Sequence, residues 1–152
     1  MNNLIRVLAV FAALVSITVS SSAFAAKGPI YTGLFSSVAV SGYDTVAYFT
    51  EGKSVEGSDD FEYEWQDTTW RFSSAENLEL FKAEPDKYAP QFGGYCAYAV
   101  AHNKTASTDP TKFHIKDGKL YLNYNGKIQK KWLANRDALI VDANKNWPDV
   151  LD

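Results

Sequence analysis

The chain of 152 residues contains a single cysteine, Cys96, and therefore cannot form an internal disulfide. Small exported domains often use paired cysteines to stabilise their fold, whereas this chain must rely on packing alone. Its four tryptophans and nine tyrosines supply large apolar surfaces, and an enclosed aromatic ring buries on the order of 150–250 Å². We therefore expect an aromatic core. The alternative, an aromatic-lined pocket for a sugar or a porphyrin, also requires convergent polar groups.

Residues 1–25 have the organisation of a secretory signal peptide. Arg6 precedes an apolar run at 7–19, and the small residues Ala23 and Ala25 place the cleavage site directly after Ala25. The run of about 13 residues is shorter than the roughly 20 residues of a spanning helix, which favours cleavage over a membrane anchor. The sequence thus predicts an exported protein, periplasmic or secreted, with no membrane attachment after signal cleavage.

The remaining residues, 26–152, fit one domain with its own core. We expect an extended N-terminal arm at 26–36 and a single domain with a C-terminal extension at 37–152. The signal peptide contains one arginine and no acid, so its removal changes the formal charge from -3 to -4. No segment concentrates lysines as phosphate-backbone binding requires, which argues against nucleic acid as a partner.

Two segments have the pattern of β-hairpins. Aromatic residues alternate with polar ones at 61–65, and the chain returns at 70–72 after a short turn, which predicts a hairpin with one solvated face. A second hairpin is predicted where Asp117-Gly118 separates the apolar runs 113–115 and 120–122, because Asp-Gly readily adopts the positive φ angles of a tight turn.

Two helices are also predicted. Ser73 and Glu76 form a capping box that begins one helix, and Pro85, which lacks an amide hydrogen, ends it. Apolar residues at helical spacing predict a closing helix at 136–146, which docks Trp147. The predicted fold class is α+β: a small antiparallel sheet built from the two hairpins, with helices packed on it and a helix at the C-terminus.

Four short motifs occur in a characteristic order: GYDTVAYF at 42–49, FSSAEN at 72–77, PDKY at 85–88 and GGYCA at 93–97. Together they resemble the YHS domain family over roughly residues 37–100. The remainder, with DGKLYLNYN at 117–125, resembles the extension of exported YHS-domain proteins. The resemblance implies a link to heavy-metal handling, since the family includes domains of copper-transporting ATPases.

The chain departs from the metal-associated members of that family at three positions. Those members carry cysteines in a Cys-Gly pair before the domain and in a Phe-Cys-Ser-x-x-Cys segment at the helix, and thiolates suit copper and zinc. Here the same positions hold Ser41, Ser73 and Asn77. Neutral hydroxyl and amide oxygens are poor ligands for Cu(I) or Zn(II), so we expect the inherited metal site to be lost.

Cys96 remains as the leading candidate for chemistry. As an unpaired cysteine it has a simple interpretation as a small buried apolar residue. As a ligand it could join His102 and His114 in a thiolate–imidazole site suited to copper or zinc. The histidines also have structural explanations, because His102 lies in a polar segment and His114 points away from its apolar neighbours on the strand.

Three functions are compatible with these residues. The leading hypothesis is an exported, non-enzymatic YHS-like binding module in metal (copper or zinc) or redox homeostasis, with Cys96, His102 and His114 as candidate ligands. The second is a structural or protein-partner-binding domain with a buried Cys96. The third, a thiol-dependent enzyme, would need a base and an orienting group beside the thiol, and no residue spacing selects them.

Overall fold

A computed structural model describes residues 27–152, so the predicted signal peptide lies outside the described residues. The fold class is α+β, as predicted. The helices are Ala47–Thr50 (α1), Ala75–Ala83 (α2), Pro85–Tyr88 (α3), Ala97–Ala101 (α4), Gly126–Ala134 (α5) and Arg136–Asn146 (α6). The strands are Ser58–Trp65 (β1), Thr68–Phe72 (β2), Asp109–Lys116 (β3) and Lys119–Asn123 (β4). Short 3₁₀ segments lie at Ala39–Gly42, Gln91–Gly94 and Asp149–Leu151.

Strands β1 and β2 form the first predicted hairpin. Tyr63 pairs with Trp70 in an antiparallel register, and Trp70 is fully buried while the Glu62 carboxylate on the opposite face binds the Arg71 Nε at 2.8 Å. The alternation of the strand therefore separates a core face from a solvated face, as its period of two requires.

Helix α2 begins one residue later than predicted. The capping residue is Ser74, whose Oγ accepts a hydrogen bond from the Asn77 amide at 3.1 Å. The prediction of Ser73 as the cap is wrong because the Ser73 hydroxyl instead donates to the Asp44 carboxylate at 2.6 Å. Hydrogen bonds to a charged acceptor are stronger than neutral ones. The helix ends at Ala83, and Pro85 begins α3, where its missing amide hydrogen is tolerated.

Strands β3 and β4 form the second predicted hairpin, with Asp117 and Gly118 at φ angles of 51° and 71° in its turn. The two hairpins are separate two-stranded sheets and share no ladder. They meet through side chains instead. The Tyr48 ring of α1 lies 4.7 Å from that of Phe113, and its hydroxyl donates to the Pro110 carbonyl at 2.7 Å. Both hairpins therefore contribute to one core cluster.

The C-terminal helices surround a second core cluster centred on Trp132, which is fully buried. Helix α6 has the predicted bounds, and the Asn146 Nδ2 ties it to α4 by donating to the Val100 carbonyl at 2.9 Å. Helix α5 was not predicted. The Asn125 side chain caps it by accepting a hydrogen bond from the Ile128 amide at 2.9 Å. Among residues 27–152, no helix is long and apolar enough to cross a membrane.

The segment before the first 3₁₀ turn runs across both clusters without forming a helix or strand of its own. The Lys27 amide donates to the Leu151 carbonyl at 3.1 Å, and the Tyr31 amide donates to the Gly93 carbonyl at 2.9 Å. The Tyr95 hydroxyl donates to the Gly28 carbonyl at 2.9 Å. We refer to residues 27–32 as the arm. Its backbone groups make these three hydrogen bonds, and the side chains of Ile30 and Tyr31 pack against the two clusters.

Candidate functional site

Cys96 is buried at the start of α4, with 1% of its surface exposed. Its amide donates to the Ala106 carbonyl at 3.0 Å. Burial raises the pKa of the Cys96 thiol, and the backbone N–H groups of Ala99, Tyr124 and Tyr98, which favour the thiolate, offset only part of this effect. The thiol is therefore protonated at neutral pH. In that form it is a poor nucleophile and a poor metal ligand.

The two histidines are engaged elsewhere. His102 is exposed, its Nδ1 lies 2.8 Å from the Tyr98 carbonyl oxygen, and its ring lies 4.3 Å from that of Tyr98. The Nε2 of His114 lies 3.0 Å from the Nη1 of Arg136. Within residues 27–152, no three histidine, cysteine or acidic side chains come together in a group that could hold a metal ion. The structure thus does not gather Cys96, His102 and His114 into one site.

Two of the positions where metal-associated members carry cysteine, Ser73 and Asn77, belong to a hydrogen-bond network around Asp44. The Asp44 carboxylate is fully buried and accepts hydrogen bonds from the side chains of Ser73, at 2.6 Å, and Asn77, at 2.7 Å. Backbone amides of Val46, Ala47 and Ser73 donate to the same carboxylate, at 2.9, 3.2 and 2.8 Å. Two of the three departures from the metal-associated pattern therefore stabilise a buried carboxylate. The third, Ser41, is exposed.

The contact between His114 and Arg136 makes a specific prediction of pH dependence. A guanidinium only donates hydrogen bonds, so His114 must accept through an unprotonated Nε2. Burial, Arg136 and Lys116 together lower the pKa of His114 below its ordinary 6.5. The unfolded state therefore takes up this proton more readily than the folded state, and the folded protein loses stability as pH falls below about 6.5.

We expect His114→Gln, which can still accept from Arg136, to flatten the dependence of unfolding free energy on pH between about 5 and 7. Urea denaturation at a series of pH values measures this. Arg136→Gln is the matched variant, and it should move the NMR titration of His114 upwards. An identical slope in wild type and His114→Gln would contradict the prediction.

Two cavities lie beside the arm. The larger, about 510 Å³, lies between the arm and residues 105–107. Its wall begins at Lys27, at the edge of the described residues. The smaller, about 240 Å³, lies on the other side of the arm. Its lining combines two partly exposed indoles with polar side chains, so we take it as the candidate site and call it the aromatic cleft.

The aromatic cleft is assembled from segments that are distant in sequence. It is lined by Pro29, Ile30, Trp65, Gln66, Asp86, Ala89, Pro90, Gln91, Phe92, Gly93 and Trp147. Trp65 ends β1 and Trp147 follows α6, so only the folded chain brings these two indoles to one cleft. None of its polar residues was a candidate in the sequence. Gln66 and Asp86 lie in turn or helix-start segments whose local pattern explains them fully.

Comparison with known proteins identifies the central part of the chain. The YHS domain family model matches residues 46–92. Neither the curated proteins nor the solved structures gave a match. The matched range contains both strands of the first hairpin, helices α2 and α3, and much of the cleft lining, and it ends before Cys96. Residues 46–92 of this chain are a YHS domain, which confirms the family resemblance of the sequence.

Proposed function

We propose that the chain is an exported, non-catalytic binding module in which Cys96 is a structural thiol. The observation that carries this proposal is the burial of Cys96, whose protonated sulfur is enclosed at the start of α4. This favours the hypothesis of a structural or protein-partner-binding domain with a buried Cys96 over the two in which the thiol is reactive. The formal charge of the mature chain is negative, which agrees with a partner other than nucleic acid.

A thiol-dependent enzyme is disfavoured by the surroundings of the imidazoles. A nucleophilic thiol needs a base within hydrogen-bonding reach to ionise it. The His102 Nδ1 is bonded to a backbone carbonyl, and the His114 Nε2 is bonded to a guanidinium. Neither ring is paired with Cys96.

A metal-handling role is the alternative that the family suggests, since YHS domains are often linked to metals. A soft-metal carrier would need thiolates or imidazoles that converge on one point. At the helix positions where the metal-associated members carry cysteine, Ser73 and Asn77 are already bonded to Asp44. The aromatic cleft, in contrast, has polar side chains that are free for recognition.

Thiol labelling tests the proposal directly. The native protein should react slowly with an excess of Ellman's reagent near pH 8 and rapidly once denaturant is added, because the sulfur is both covered and protonated. The control is Ala138→Cys in a Cys96→Ser background, which places a thiol at an exposed position of α6 and should label at once. Rapid labelling of native Cys96 would refute the structural role.

Metal titration distinguishes the proposed function from the metal-handling alternative. Under reducing conditions, neither the wild type nor Cys96→Ser should take up Cu(I) or Zn(II) stoichiometrically. Uptake by the wild type that disappears in Cys96→Ser would replace the proposal with a metal-binding function centred on this thiol.

A further inference from the structure

The aromatic cleft presents two indole rings that are held in place from behind. The ring of Trp65 packs edge-on against Trp70, with centroids 5.6 Å apart. The ring of Trp147 packs against Phe92, with centroids 6.0 Å apart. Since Trp70 and Phe92 are buried, each of these partly buried indoles rests on a fixed partner. Rigid aromatic surfaces of this kind bind a flat or ring-shaped ligand with little loss of side-chain entropy.

Three polar side chains line the same cleft: Gln66, Asp86 and Gln91. None of them forms a side-chain hydrogen bond within the described part of the chain. The lysine next to Asp86 in sequence, Lys87, is bound to Glu84 at 2.9 Å. The cleft therefore offers a free carboxylate and two amides, each of which can both donate and accept.

The charge of the side chains that line the cleft argues against anionic ligands. Asp86 is the only charged residue among the lining side chains, and no lysine, arginine or histidine is present there. An anionic group entering the cleft would face a carboxylate without a compensating cation. Phosphates, carboxylated porphyrins and acidic sugars therefore do not fit, which leaves neutral or cationic ligands.

The two amides distinguish between those remaining classes. A cation can lie over an indole face and near a carboxylate, but it has no acceptor for the N–H groups of Gln66 and Gln91. The N–H groups of the two amides would therefore gain no hydrogen bond from such a cation. A neutral sugar satisfies all of these groups, because its hydroxyls donate to Asp86 and exchange hydrogen bonds with the amides, while its C–H face packs on an indole.

The volume of the aromatic cleft agrees with a ligand the size of one sugar ring. At roughly 30 Å³ per water molecule, 240 Å³ corresponds to about eight waters. That space accommodates one sugar ring with its hydroxyls. It is below the range of about 300–1,000 Å³ found for the pockets of drug-sized ligands.

We propose that the aromatic cleft binds one ring of a neutral saccharide, which contacts the indoles of both Trp65 and Trp147 and is hydrogen-bonded to Asp86 and the two glutamines. The inference rests on the proposed function, since it names the ligand class of a module that binds without altering its ligand.

The test titrates the protein purified from the full-length chain with maltotriose, cellotriose and tri-N-acetylchitotriose. NMR shifts of the tryptophan indole N–H signals report binding. At least one of these neutral saccharides should saturate and shift the signals of Trp65 and Trp147 but not those of the buried Trp70 and Trp132. A trigalacturonate, which is anionic, should bind at least about tenfold more weakly or not at all.

Variants locate the site. Asp86→Asn and Gln66→Gly should each weaken binding, with Asp86→Asn losing about tenfold. Glycine adopts the φ of 51° at position 66 without strain. Trp147→Ala should abolish binding, and far-UV circular dichroism checks its fold. Tyr124→Ala, at an exposed aromatic residue outside the cleft, is the matched control and should bind as the wild type does.

Three results would overturn the inference: no saturable shift with any neutral saccharide, saccharide binding that survives in folded Asp86→Asn and Trp147→Ala, or shifts caused by tetramethylammonium instead. If no saccharide binds but native Cys96 still labels slowly, only the saccharide inference is refuted. Rapid labelling of native Cys96 refutes the proposed function. The indole N–H shifts still show, independently of that result, whether the cleft binds a saccharide.

Discussion

Asp44→Ala is expected to destabilise the protein severely, by about 3–5 kcal/mol in the free energy of unfolding. The Asp44 carboxylate is fully buried and accepts five hydrogen bonds from three backbone amides and two side chains. Alanine would leave these donors without an acceptor inside the protein, and each buried unsatisfied group costs about 1–3 kcal/mol before the structure relaxes. Because typical domains are stable by only about 5–15 kcal/mol, this variant should be near unfolding.

Equilibrium denaturation in urea measures the effect. Asp59→Ala, at an exposed acid of β1, is the control and should change stability by no more than about 0.5 kcal/mol. Ser73→Ala and Asn77→Ala each remove a single donor and should cost about 1–2 kcal/mol. A loss below about 1 kcal/mol for Asp44→Ala would show that the carboxylate is not the centre of this network.

Gly93→Ala is expected to release the arm. A Cβ at position 93 would lie 1.8 Å from the Pro29 carbonyl oxygen and 2.9 Å from its carbon, both of them backbone atoms that cannot rotate away. The Tyr31 amide would also lose its bond to the Gly93 carbonyl. Since φ at Gly93 is +60°, left-handed strain adds to this overlap. We expect a loss of about 2–4 kcal/mol.

Hydrogen exchange of the Tyr31 amide is the most direct readout, and its protection should fall to that of an open segment. Gly52→Ala is the matched control. Gly52 has φ +67°, and no heavy atom outside Gly52 and its two chain neighbours lies within 4 Å of the place that an alanine Cβ would take there. This variant therefore reports left-handed strain alone, about 1 kcal/mol. Equal losses in the two variants, with Tyr31 still protected, would contradict the clash with Pro29.

The parts of the fold that the sequence predicted are those with a local physical signature. The Asp117-Gly118 turn and the aromatic alternation of β1 each determine a hairpin from a few neighbouring residues. Helix α5 was missed although Asn125 caps it. Its first residue is Gly126, a weak helix former, which conceals the start of the helix in the sequence.

The candidate site was less accessible to sequence reasoning because its properties come from tertiary contacts. The environment of the Cys96 thiol depends in part on a backbone hydrogen bond from Tyr124, which follows the second hairpin. The role of Ser73 depended on an acceptor 29 residues earlier, and the local capping pattern favoured a different partner. The aromatic cleft requires Trp65 and Trp147 to meet across the fold, which no local pattern encodes.

The bonds from Ser73 and Asn77 to Asp44 have an evolutionary consequence. Introducing a cysteine at either position in a single mutational step would take a strong donor from the carboxylate before any second thiolate was present to share a metal ion. Each intermediate would lose stability without gaining a ligand. A stepwise gain of thiolates at these two positions would therefore be opposed by the stability of the fold itself.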